Sequence, residues 1–224
     1  MLHLDAPGYV RAFLVLHIAA GTVALFVAPV AMIVLKGGGV HRAAGKAFVV
    51  AMGVVAVSAL VVAPWFGDWF LLAIAVFSAY LAFSGWRILA RKRPTDAPAA
   101  VDWVAACGVV MAGLALYALA FVQREHFGSF VIVLAVFGTI AVALGAADLK
   151  GLLRPPLASR WLIRHFTNMT AAYIATVTAF SSVNFKFIDP VWVRWLWPTL
   201  AGSALITYWN IRYRKRPVPS ELPG

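Results

Sequence analysis

Apolar residues in this chain fall into seven long blocks, separated by short segments rich in glycine, proline and charge. A helix needs about 20 apolar residues to cross the roughly 30 Å of hydrocarbon in a bilayer. Within the blocks apolar residues do not alternate with polar ones, as the strands of a membrane barrel would. The pattern predicts helices at about residues 10–36, 41–65, 69–90, 100–122, 129–152, 161–185 and 190–211. The joining segments hold the expected breakers, among them Gly37-Gly38-Gly39, Gly67-Asp68, Arg154-Pro155-Pro156 and Asp189-Pro190. All are too short for a further domain. The expected fold class is an all-α bundle of about seven transmembrane helices, one domain over residues 1–224, with a basic, proline-rich cytoplasmic tail at 212–224.

Composition agrees. The chain is 63% hydrophobic and 12% charged, with a mean hydropathy of +0.88, whereas soluble domains are about half apolar and a quarter charged. The opening MLHLDAPGYVR places Asp5 before Arg11, and the following apolar run continues past Pro29 to Leu35. That run is too long for a signal-peptide core and reads as a permanent first helix. The single cysteine, Cys107, lies inside an apolar block and reads as a small core residue.

The net charge of +11 would suggest a nucleic-acid partner in a soluble protein, but its placement suggests orientation. With the first, third and fifth connections and the tail on one side, fifteen of the nineteen basic residues lie there. Arg11, Arg124, Lys186 and Arg194 lie on the other. The positive-inside rule then puts the N-terminus outside and the C-terminus in the cytoplasm of a bacterial inner membrane. The partners expected are the lipid bilayer and further copies of the chain, not nucleic acid. Tryptophans flank the blocks, with Trp65, Trp69, Trp192, Trp195 and Trp197 outside and Trp86, Trp103, Trp161 and Trp209 inside, as an interfacial belt would.

Helices in lipid associate through close packing of small residues. Three faces have the spacing for it: His17, Gly21, Ala24, Ala28 and Ala31 on the first helix; Gly138, Ala141, Gly145 and Asp148 on the fifth; His165, Asn168, Ala172, Thr176 and Ala179 on the sixth. All are expected to point inward.

Ionisable groups at membrane depth are costly and are default candidates for function. His17, a further candidate for binding a cofactor, lies near the outer end of the first helix, with Thr178, Ser181, Ser182, Asn184 and Tyr117 as its nearest expected partners. Four more candidates share the inner boundary: His41, Asp102, Asp148 and His165, interleaved with Arg42, Arg87, Arg160 and Arg164. They form either a ring of salt bridges that fixes helix positions or a site open to the cytoplasm. As a site, His41 and His165 suit the axial positions of haem b iron. Alternatively, both histidines with Asp102 or Asp148 suit a divalent ion such as zinc. Asn168, Thr176 and Tyr117 are expected to line the interior. His3 and His126 read as solvated, and no enzyme nucleophile with a neighbouring base can be recognised.

The pattern His17-xxx-Gly21, His41-Arg42-xx-Gly45 and Arg160-Trp161-xx-Arg164-His165-xxx-Met169 resembles a bacterial membrane family catalogued as domain of unknown function 2306. The resemblance spans most of the chain. That family includes a haem-sensing member, so the resemblance implies a haem role without assigning ligands. The inner histidine pair also resembles one half of the di-haem b-type cytochromes, but His17 has no outer partner, so a two-haem wire is not expected. The function expected is a haem- or metal-binding sensor or redox-associated membrane protein. The alternatives are a small proton-coupled transporter, for which the polar face of the sixth helix argues, and a structural protein whose histidines only pack.

Overall fold

The structure, a computed structural model, describes residues 5–93, 95–153 and 161–214. Among these every regular element is helical. The long helices are α1 (Gly8–Ile33), α2 (Gly39–Trp65), α3 (Trp69–Arg87), α4 (Ala100–Val122), α6 (Val131–Leu152), α7 (Trp161–Asn184) and α8 (Val191–Arg214). A short helix α5 (Arg124–Phe127) lies in the segment read as a loop, and a 3-10 turn at Ile88–Ala90 extends α3. Residues 212–214, expected in the tail, continue α8 instead. The rest of that tail, His3 and the connection carrying Arg154 and Arg160 lie outside the described residues.

Five segments are long and apolar enough to cross a membrane: Gly8–Ile33, Gly39–Trp65, Trp69–Ala90, Ala100–Val122 and Arg124–Leu152. α7 and α8 are of similar length but more polar, α7 carrying His165, Asn168, Asn184 and a series of threonines and serines. Large apolar side chains such as Phe26, Phe121 and Leu200 are exposed on the bundle surface, as expected where lipid rather than water surrounds a protein.

α3 is the central element, packed against α2, α4 and α7. Its buried residues, among them Phe70, Phe77, Tyr80 and Leu81, join the core with Phe48 of α2, Leu116 of α4, and Leu134 and Phe137 of α6. α1 pairs with α2 through a short turn in which Gly37 takes φ +78°, a backbone angle that glycine adopts without a Cβ penalty. α7 pairs with α8.

The α4–α6 pair packs backbone against backbone. A Cβ on Gly113 would stand 2.9 Å from the Gly138 carbonyl oxygen, and one on Gly138 would stand 3.1 Å from that of Gly113. One on Gly145 would meet Val110 at 2.6 Å. The predicted small-residue stripe on this helix is therefore a packing surface, as is that on α1, where Ala24 and Ala28 are buried. The α7 stripe holds through Ala172 and then turns. Ala175, Thr178 and Ser181 are buried while Ala179 is exposed, because α7 is covered by α3 on one side and α8 on another.

Two further expectations change. Trp195 is no interfacial anchor: it is buried against Phe70, with ring centroids 5.0 Å apart, and against Phe130 at 5.9 Å. Cys107 is exposed rather than in the core.

Candidate functional site

The candidate residues divide into a histidine pair and an arginine–aspartate cluster, joined by neighbouring residues of α3 and α7. The pair comes from the starts of α2 and α7. His41 and His165 have ring centroids 6.4 Å apart and ring planes inclined at 75°. Each ring is held by a backbone carbonyl of a third helix. His41 Nδ1 donates to Ala31 O of α1 at 2.9 Å, and His165 Nδ1 donates to Gly85 O of α3 at 2.7 Å.

Local structure explains both bonds. The last carbonyls of a helix lack intrahelical donors, and Ala31 O in the final turn of α1 takes His41 Nδ1 together with Lys36 Nζ at 3.1 Å. Gly85 O is reachable because α3 and α7 touch there. A Cβ on Gly85 would lie 3.0 Å from the Met169 backbone nitrogen and side chain.

A carbonyl only accepts, so both Nδ1 atoms carry hydrogen, and in the neutral rings Nε2 is left as the lone-pair nitrogen. Among the described residues neither Nε2 has a hydrogen-bond partner. Histidines that bind a metal likewise donate their second nitrogen to a carbonyl or carboxylate that fixes the tautomer.

The second cluster begins at Arg164, the residue before His165 on α7. Arg164, beside His165, pairs with Asp148 of α6, and Tyr80 of α3 donates to the other oxygen of that carboxylate at 2.5 Å. Arg87 at the end of α3 grips Asp102 of α4 with two bonds of 3.1 and 3.2 Å, and Asp102 also accepts the Ala99 N–H at 2.8 Å. Asn168, one turn after His165, donates to Ser84 Oγ at 3.0 Å. The salt-bridge reading of the inner boundary is thus realised for both aspartates.

No family model, curated protein or solved structure matches the chain. The chemistry must be read from the side chains alone.

The four proposed metal ligands do not gather. Both carboxylates are engaged by arginines, and among the described residues no group of three or more His, Cys, Asp or Glu is arranged to hold a metal ion. Only the two imidazoles converge. His17 stands apart: its Nδ1 bonds Val55 O at 3.1 Å and Ser58 Oγ at 3.0 Å on α2, not the expected groups on α7. Tyr117 is exposed and shares a 2.6 Å bond with Thr139 Oγ1 of α6. Thr176 Oγ1 donates to Ala172 O at 3.1 Å and touches Met52 Sδ at 3.4 Å, knitting α7 to α2. His126 is exposed as expected.

Tyr80, Gly85 and Arg91 are the residues that sequence patterning missed. Tyr80 and Gly85 sit inside an apolar run with nothing to mark them, and Arg91 looks like any interfacial cation. Yet Arg91 is 5% exposed, and its Nε is buried with no partner among the described residues. Burial holds its guanidinium below the ordinary pKa, and Asp102 works against that shift.

Proposed function

We propose that this chain is a seven-span membrane protein of the bacterial inner membrane that holds haem b between His41 and His165, at the cytoplasmic face, as a sensor or redox-associated protein. The observation that carries the reading is the pair of imidazoles 6.4 Å apart, each with Nδ1 on a backbone carbonyl. A metal–imidazole bond is about 2 Å and a ring nitrogen lies roughly 1 Å from its ring centre, so two imidazoles that held one ion between them would have centroids up to about 6 Å apart. The pair fits that spacing.

Haem fits better than a bare ion. Zinc asks the protein for three or four ligands, and two imidazoles are all that converge among the described residues. Haem would be held by His41 and His165 through their free Nε2 nitrogens, and when bound the group would supply one-electron chemistry or ligand sensing. The chain's own part is to orient the rings. Ala31 and Gly85 fix the tautomers, while Lys92 lies 4.6 Å over the Trp161 ring at the start of α7. The family resemblance carried by His41-Arg42 and Arg164-His165 points the same way.

The orientation rests on the fifteen-to-four division of basic residues. Seven spans in alternation are supported by the contacts that bring the starts of α2, α4 and α7 to the ends of α3 and α6. For α7 and α8, bundle contacts offset the polar composition: Ser181 Oγ donates to Arg194 O at 3.2 Å and accepts from Trp197 Nε1 at 2.8 Å.

The test is to purify the full chain in detergent from haem-supplied cells and measure haem per protein. A Soret band at about one haem per chain is expected, and its loss in both His41→Ala and His165→Ala. Haem-free protein would refute the reading.

A further inference from the structure

Arg87, Arg91, Arg164, Asp102, Asp148 and Tyr80 line a cavity of about 30 Å³ where α3, α4, α6 and α7 meet. A cavity of roughly 10–15 Å³ or more admits a water, so this one takes a single small guest. Three guanidiniums against two carboxylates leave one positive charge unmatched. The two carboxylates are already committed, Asp102 to Arg87 and the Ala99 N–H, Asp148 to Arg164 and Tyr80.

Arg91 is the group left over. It is 5% exposed, and among the described residues its guanidinium makes no hydrogen bond. Its buried Nε lacks an acceptor, and a buried donor left unsatisfied costs about 1–3 kcal/mol. Among the described residues no further carboxylate pairs with Arg91: Asp96 accepts the Arg93 N–H at 2.8 Å.

We propose that this cavity binds one small monovalent anion of about the size of chloride, held by Arg91 and flanked by Arg87 and Arg164. Charge and size select the guest together. The aspartates on the wall repel a multivalent anion, the surplus is a single charge, and the volume excludes a phosphate ester or an organic acid. The anion would complete the junction that places Arg164 and its neighbour His165. The inference does not rest on haem binding.

Thermal unfolding of the purified full chain in sodium chloride and in sodium gluconate, at equal ionic strength, tests it. An anion that binds only the folded state raises the melting temperature with its concentration. A rise of roughly 3–5 °C per tenfold chloride is expected above half-saturation for a chain of this size. The rise is expected to vanish in Arg91→Met. Equal melting in the two salts, or a chloride effect that persists in Arg91→Met, would overturn the proposal. Should Arg91→Met not fold, the wild-type chain crystallised in sodium bromide decides. An anomalous peak among Arg87, Arg91 and Arg164 supports the site, and no peak overturns it.

Discussion

His165 donates its Nδ1 proton to the backbone carbonyl of Gly85, 2.7 Å away on a helix eighty residues earlier in the chain. The bond exists because Gly85 has no Cβ: α7 approaches so closely that an added methyl would sit 3.0 Å from the Met169 backbone nitrogen. One glycine thereby sets both the α3–α7 contact and the tautomer of a candidate ligand.

Gly85→Ala is expected to push α7 outward and cost about 1–3 kcal/mol, the usual penalty for overpacking. It is also expected to shift the Soret band, because His165 loses its fixed donor bond. Melting and absorption spectra of the variant check this. A variant with wild-type stability and spectrum would show the close approach to be unimportant.

The carboxylate of Asp148 is shared by Tyr80 and Arg164. Tyr80→Phe is expected to cost about 1.5–3 kcal/mol, a hydrogen bond to a charged acceptor. In an Asp148→Asn background the same substitution should cost less, since the acceptor is no longer charged. The double-mutant cycle measures the coupling, and strict additivity would mean that the two groups do not interact.

His17 is bonded within the α1–α2 pair. Its bonds to Ser58 and Val55 join α1 to α2 far from the histidine pair. His17→Ala is expected to lower stability by about 1 kcal/mol and to leave haem content unchanged. A fall in haem content would return His17 to the list of ligands.

Orientation is tested by cysteine labelling in a Cys107→Ser background. Glu125→Cys in the outer connection should react with an impermeant maleimide added to intact cells, and Thr95→Cys in the inner connection only after the membrane is opened. The reverse pattern would invert the topology.

The bundle was legible because its signals are local: block length, breakers, and the bias of basic residues. The pairings were half legible. That Asp102 and Asp148 at a boundary crowded with arginines would be neutralised follows from cost alone, but which arginine each meets depends on helix rotation, which these almost uniformly apolar faces do not encode. His41 and His165 were matched by depth, and they meet. His17, equally prominent in the sequence, takes Ser58 on the neighbouring helix instead. Tyr80, Gly85 and Trp195 left no trace because each matters through a contact with a residue distant in sequence.

Electron paramagnetic resonance of the oxidised, haem-loaded full chain tests the central claim most directly. Two imidazole ligands predict a low-spin ferric spectrum at about one haem per chain, converted to high spin or lost in His41→Ala and in His165→Ala, and unchanged in His17→Ala. A chain that takes up no haem, or a wild-type spectrum that survives both inner substitutions, would contradict it.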